Sequence, residues 1–262
     1  MTALSLATTD LGSGDGPPLV ILHGLFGRRR NWQAIQKQLA RKHRVITADL
    51  RNHGDSPWDD DMTYPAMASD IGKLVQDLDA EPAIVVGHSM GGKAAMSLAL
   101  SNPDLIASLV VIDIAPVPYH HDYSGYIEAM KSVPLDKIER RADAESFLTG
   151  EVEDPGIRNF LLQNLETTDS GLAWRVNLDV IDKAMSTVLE FPPADGKSFD
   201  GKTLFIAGGK SDYIKREDRD VISALFPQAR HIEIKEAGHW VHAEKPQEIV
   251  ATLEGVAAHA AD

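Results

Sequence analysis

Gly87-His88-Ser89-Met90-Gly91 sets a serine between small residues, where an apolar run gives way to a helix-forming one. Ala83-Ile84-Val85-Val86 stands before it, after Pro82; Gly92-Lys93-Ala94-Ala95-Met96-Ser97-Leu98-Ala99-Leu100 follows. A G-x-S-x-G element between a strand and a helix turns the serine Oγ outward, because small neighbours let the backbone fold tightly beneath it. The helix that follows offers free N–H groups and a positive dipole end to an oxyanion. Ser89 is therefore a candidate nucleophile; the competing reading is a tight turn and nothing more.

A serine hydroxyl attacks poorly until a base takes its proton, and histidine titrates in the useful range. Ten histidines are available. His239, in Glu236-Ala237-Gly238-His239-Trp240, follows the last strand expected and stands in the order nucleophile, acid, base. His88 should pack, since neighbours on a tight elbow point apart. His23 is expected to order an oxyanion loop, His53 to brace its own loop and His242 to rim the site. Met90, the residue after the nucleophile, should give one oxyanion N–H through its backbone. Phe26, Met90 and Trp240 are candidates for lining a substrate pocket, with core packing the alternative for each.

These residues need a scaffold. Leu4 and Leu6 alternate with polar residues, which suggests an early strand. Leu19–Leu22, Val45–Ala48, Ala83–Val86, Leu109–Ile112 and Thr203–Ala207 read as buried strands, and His231–Ile234 as an alternating one. Helices are expected over Asn31–Lys42, Pro65–Asp79, the residues after Ser89, and Pro246–Ala258. Alternating strands and helices imply an α/β fold, a mainly parallel sheet with helices on both faces. Ligands in such sheets bind beyond the carboxyl ends of the strands, where His23, Ser89, Asp113, Ser211 or Asp212, and His239 gather. Residues 116–195 break the rhythm and exceed an ordinary loop of ~12–15 residues. They read as an inserted helical cap, which divides the chain into core (1–115), cap (116–195) and core (196–262).

Composition narrows the function classes. A net charge of −13 argues against nucleic acid. No apolar run reaches the ~20 residues of a membrane span, and the N-terminus lacks the basic and apolar regions of a signal peptide. With no cysteine there is neither disulfide nor thiolate chemistry, in keeping with a reducing cytoplasm, the expected location. Carboxylates and histidines show no metal-ligand spacing, so neither metal nor organic cofactor is expected. Arg28-Arg29-Arg30 reads as a solvated helix start or, in the sharper alternative, as a contact for an anionic substrate group. Oligomeric state is not readable.

Several segments together carry a resemblance. His23-Gly24-Leu25-Phe26-Gly27, Asp49-Leu50-Arg51-Asn52-His53-Gly54-Asp55-Ser56, Gly87-His88-Ser89-Met90-Gly91-Gly92-Lys93, Val111-Ile112-Asp113-Ile114-Ala115-Pro116 and Gly238-His239-Trp240-Val241-His242-Ala243-Glu244-Lys245-Pro246 run through nearly the whole core in order. The chain resembles the α/β-hydrolases, and among them the bacterial YbfF-type esterases and their mitochondrial abhydrolase relatives. The resemblance implies a second oxyanion N–H from Leu25. It bears also on the acid that must orient His239. Most α/β-hydrolases place it in a Gly-x-x-Asp loop, which here reads Gly208-Gly209-Lys210-Ser211-Asp212 and offers Ser211 or Asp212 according to the glycine counted from. The resembling esterases carry a serine there and use an Asp one strand earlier, which maps onto Asp113. Asp113 is the favoured acid, with Ser211 supporting the histidine by a hydrogen bond and Asp212 the alternative.

The expected activity is that of a serine esterase acting on a small-molecule ester or thioester through an acyl-enzyme. Acyl-CoA thioesterase, lactonase, perhydrolase and carbon–carbon bond hydrolase share such a triad. For a CoA ester, Arg28–Arg30 or Lys93 would meet phosphates. A non-catalytic ligand receptor on the same scaffold is the reading from a different class.

Overall fold

The computed structural model describes residues 2–121, 123–169, 171–194 and 196–260. Asp195, the expected end of the inserted segment, lies outside the described residues, as do Met1 and the two C-terminal residues of the expected second core part. In chain order the core runs β1 (Thr8–Leu11), β2 (Leu19–Leu22), α1 (Gln33–Leu39), β3 (Val45–Ala48), α2 (Tyr64–Asp77), β4 (Ala83–His88), α3 (Met90–Ser101) and β5 (Ile106–Ile112). There follow α4 (Ser124–Ser132), α5 (Arg141–Leu148), α6 (Pro155–Leu162), the hairpin β6 (Leu165–Thr168) and β7 (Gly171–Trp174), α7 (Leu178–Lys183) and α8 (Met185–Leu189). The core resumes with β8 (Lys202–Gly208), α9 (Arg219–Leu225), β9 (Ala229–Ile234), α10 (Val241–Glu244) and α11 (Pro246–Ala260).

The main sheet has the order β1-β3-β2-β4-β5-β8-β9. Only β1 runs antiparallel to its neighbour. Strand side chains alternate in direction, and the burial shows it. Val20, Leu22, Val85 and Val111 face a core shared with Ile71 and Val75 of α2 and Ala94 and Leu98 of α3. Leu19, Ile21, Ile84, Val86, Val110 and Ile112 face the other core, with Ile35 and Leu39 of α1 and Ile249 and Leu253 of α11. Burial on both faces explains why these strands read as unbroken apolar runs. The strand order reverses between β2 and β4, which opens a crevice at their carboxyl ends, where His23-Gly24 and Ser89 emerge.

Three expectations need correction. The first strand is Thr8–Leu11, not the stretch around Leu4 and Leu6. There the Leu4 N–H donates to Asp70 Oδ1 at 2.7 Å and the Ala7 N–H to Ser56 Oγ at 2.8 Å, so side chains take the place of a ladder. The helix expected over Asn31–Lys42 is a 3-10 turn at Arg29–Trp32 followed by the shorter α1. The segment between β5 and β8 is not wholly helical, because β6 and β7 pair antiparallel within it.

Candidate active site

Ser89 sits on the turn between β4 and α3 with φ 52° and ψ −121°, a left-handed backbone that a non-glycine residue rarely adopts. The flanking glycines make this possible. A Cβ on Gly87 would stand 2.2 Å from the Gly91 carbonyl oxygen, and one on Gly91 would stand 2.5 Å from that of His23. No larger residue fits at either place without moving backbone.

His239 follows β9 on the loop before α10. Its Nδ1 lies 2.8 Å from Asp113 Oδ2 and its Nε2 lies 3.1 Å from Ser89 Oγ. A carboxylate only accepts, so Nδ1 carries the proton and Nε2 is left to accept from the serine hydroxyl. Asp113, fully buried just past β5 at φ 51°, also accepts the Gly208 N–H on Oδ1 at 2.9 Å and the Ser211 hydroxyl on Oδ2. These bonds keep a carboxylate tolerable at the end of an apolar strand. Asp212 is exposed and makes no hydrogen bond to His239. Ser211 therefore supports the carboxylate rather than, as expected from sequence, the histidine itself.

Around the imidazole is an aromatic enclosure that the sequence did not disclose. The Tyr213 ring stacks on His239 with centroids 3.7 Å apart, and its hydroxyl meets that of Tyr123 at 2.6 Å. Tyr123 belongs to the inserted segment and Tyr213 to the loop after β8; no local pattern links residues so far apart in sequence. On the other side His88 donates from Nε2 to the His239 carbonyl at 2.8 Å, packing as expected. Burial, with the neighbouring His242 and His239, drives the His88 pKa well below its ordinary value. His242 is buried against Trp32, with centroids 4.3 Å apart, and burial lowers its pKa to about 3.

Met90 is the first residue of α3, so its N–H has no acceptor within the helix. The Leu25 N–H donates to no other group among the described residues. The next peptide is clamped. Phe26, at φ 58°, gives its N–H to His53 Nε2 at 3.2 Å and takes Asn164 Nδ2 on its carbonyl at 2.7 Å. His53 Nδ1–H in turn donates to the Arg51 carbonyl at 2.9 Å, which leaves Nε2 free to accept. His23 is pinned likewise, with Nδ1–H on the Gly24 carbonyl at 2.8 Å and Nε2 accepting the Leu50 N–H at 2.9 Å. Burial lowers the pKa of His23 to about 4 and of His53 to about 3, so both stay neutral acceptors near neutrality. The sequence marked His23 and His53 as braces. Asn164, from the inserted segment, it missed.

The arginines near the site are paired with acids. Arg28 is buried and bonds Glu166 at 2.6 Å, Arg29 pairs with Asp49 and Asp55, and Arg30 reaches Glu166 at 2.7 Å. Lys93 is buried on α3 with its ammonium on the Leu189 and Glu190 carbonyls. Arg28 and Arg29 are thus neither solvated nor free to meet an anion, while Arg30 stays mostly exposed; the run ties the first loops to the inserted hairpin. Phe26 and Trp240 line a cleft that reaches Ser89, with Ile157, Phe160 and Leu161 of α6 on the opposite wall. Met90 lines a second cleft. No group of side chains able to hold a metal occurs among the described residues, and no helix among them is long and apolar enough to cross a membrane.

An outward serine on a strained turn, a histidine within reach of it, a buried carboxylate behind the histidine and two unengaged N–H groups form an arrangement suited to acyl transfer. Known proteins are similar to this chain over most of its length. Esterase YbfF of Escherichia coli (strain K12) is 38% identical over 251 residues, covering 94% of this chain and 95% of the relative. The sn-1-specific diacylglycerol lipase ABHD11 of Xenopus tropicalis is 44% identical over 251 residues, covering 92% of this chain and 78% of the relative. Among solved structures, a marine microorganism esterase superposes with a TM-score of 0.92 at 35% identity, over 96% of this chain and 99% of that one. Residues 19–252 match the model of the alpha/beta hydrolase family. With the sheet order, the serine elbow and a match spanning the core in agreement, the chain belongs to the alpha/beta hydrolase family.

Proposed function

We propose that this protein is a serine esterase that hydrolyses small carboxylic esters or acyl thioesters through an acyl-enzyme on Ser89. The observation that carries this reading is the unbroken hydrogen-bonded line Ser89, His239, Asp113, beside the unengaged N–H groups of Leu25 and Met90. His239 Nε2 takes the hydroxyl proton as Ser89 Oγ attacks the carbonyl carbon. Asp113 steadies the imidazolium formed, as the acid of such a triad does. The tetrahedral oxygen rests on the two N–H groups, and His239 returns the proton to the departing alcohol or thiol. Water, deprotonated by the same Nε2, then releases the acid and restores the serine. Ser211 acts through Asp113, as a positioning residue.

Residues 116–195 serve in this proposal as a cap over the serine. Phe160 of α6 meets Trp240 at a centroid distance of 5.9 Å across the mouth of the first cleft. The esterase and lipase names of the relatives add weight to ester substrates. The test is labelling of Ser89 by a fluorophosphonate, with turnover of a short p-nitrophenyl ester. Both are expected in the native chain and neither in Ser89→Ala. A native chain that takes no label and turns over no acyl donor would leave the ligand-receptor reading in its place.

A further inference from the structure

Two clefts meet at Ser89. The first carries His239 together with the apolar wall from α6. The second is lined by Leu25, Ser89 and Met90 where it meets the nucleophile, and by Tyr64, Lys93 and Leu189 beyond. On the esterase reading above, these clefts receive different arms of the substrate. The leaving alcohol must collect a proton from His239 Nε2, so it belongs in the cleft that His239 lines. The acyl arm is left for the second cleft.

The second cleft contains a buried cation that makes no salt bridge among the described residues. Lys93 is 1% exposed. Its ammonium donates to the Leu189 carbonyl at 2.7 Å and the Glu190 carbonyl at 2.8 Å, and lies 4.7 Å from the centroid of the Tyr119 ring. Among the described residues it forms no ion pair, and Glu190 turns its own carboxylate to solvent. An ammonium has three donors. Holding the carbonyl end of α8 accounts for two of them, and the Glu190 carboxylate acts on the charge only from beyond ion-pair distance, so one donor of a costly buried charge is left over. The Tyr64 hydroxyl is already given to the Val188 carbonyl at 2.6 Å and that of Tyr119 to the Tyr213 carbonyl, so Lys93 holds the free donor at this end.

We propose that the second cleft is an acyl site for short acyl groups ending in a carboxylate, and that the Lys93 ammonium receives that carboxylate. The substrates are then half-esters or half-thioesters of short dicarboxylic acids. Tyr64 and Lys93 line the cleft together with Ser89, so the acyl groups in question are short. Burial lowers the Lys93 pKa to about 7, against the opposing pull of the Glu190 carboxylate. The other titratable groups facing the cleft do not change charge above neutrality. Burial holds the phenols of Tyr64, Tyr119, Tyr123 and Tyr213 above their ordinary range and His121 below its own.

Ethanol release from three ethyl esters tests the proposal: monoethyl glutarate, the same molecule with its free carboxylate methylated, and ethyl hexanoate. At pH 7 the native chain should show kcat/KM for the half-ester about tenfold or more above that of the methyl-capped diester, the worth of one charge-assisted hydrogen bond. That ratio should fall towards one by pH 9, as Lys93 loses its proton, and should be near one at pH 7 in Lys93→Met. Should that variant not fold, the pH dependence of the native ratio remains as the measurement. A capped diester used as well as the half-ester at pH 7, or a ratio unmoved by pH, overturns the proposal. If Ser89 takes the fluorophosphonate label and ethyl hexanoate is the preferred ester, the esterase reading stands and only the acyl-site proposal falls. If there is neither label nor turnover of any of the three, it is the esterase reading that fails.

Discussion

The imidazole of His239 lies flat on the ring of Tyr213, with centroids 3.7 Å apart and planes 17° from parallel. Tyr213 is held by its hydroxyl on Tyr123 and, through its carbonyl, by Tyr119. The imidazole is thus fixed by the carboxylate at one nitrogen and by a ring across its face, which leaves Nε2 one direction, towards Ser89. A stacked aromatic contact contributes ~0.5–1.5 kcal/mol. Tyr213→Leu should lower kcat by about 2- to 12-fold on that basis, while Tyr213→Phe, which keeps the ring, should lose much less. Steady-state kinetics with one p-nitrophenyl ester checks this, and equal losses in the two variants would assign the effect to the hydroxyl instead.

The acid can be separated from its neighbour in sequence. Asp113→Asn keeps the shape but offers an amide where His239 needs an acceptor, so kcat should fall by about 10³- to 10⁴-fold. Asp212→Asn should stay within about twofold, since surface substitutions rarely matter much. The reverse pattern would move the acid to the Gly-x-x-Asp loop.

Asn164 ties the inserted segment to the loop that carries the Leu25 N–H. Removing its amide frees the Phe26 carbonyl and loosens that loop without touching the cleft wall. Asn164→Ala should reduce kcat by about tenfold, the worth of one buried hydrogen bond, with KM little changed. A rise in KM at constant kcat would show that Asn164 shapes substrate binding instead.

Acid should destabilise the fold through three buried histidines. His23, His53 and His242 have pKa values of about 4, 3 and 3 when folded, lowered by burial from 6.5. A depressed histidine pKa means that the unfolded chain binds protons first. The stability due to each neutral imidazole is complete above pH 6.5 and is lost as pH falls towards its folded value. The slope is about 1.4 kcal/mol per pH unit for each group at most. Urea unfolding at pH 7 and pH 5 should show a clear loss. His242→Phe, which keeps the stack on Trp32 and removes a ring nitrogen that finds no partner, should lessen it.

The strands around the site were legible because burial on both faces writes them as apolar runs, Leu19–Leu22 and Ala83–Val86 among them. The short polar β1 and the hairpin within residues 116–195 were not. Thr8–Leu11 is a strand because it pairs with Val45–Ala48, a partner nearly forty positions away. The periodicity of a segment reports which face is buried, not which distant segment lies beside it.

What the sequence determined by itself was the chemistry carried by local backbone form: Ser89 between glycines that admit a tight elbow, Met90 opening a helix, and His239 on a glycine loop after the last strand. Tertiary structure decided whatever depends on approach between distant segments. It set the Asp113 carboxylate, and not that of Asp212, against His239. It turned Ser211 to the carboxylate, paired Arg28 and Arg29 with acids, and brought Asn164 and Tyr123 to the loops around the serine. The reason is the same in each case. A hydrogen bond acts over about 3 Å, and only the packed sheet brings residues a hundred positions apart within that reach.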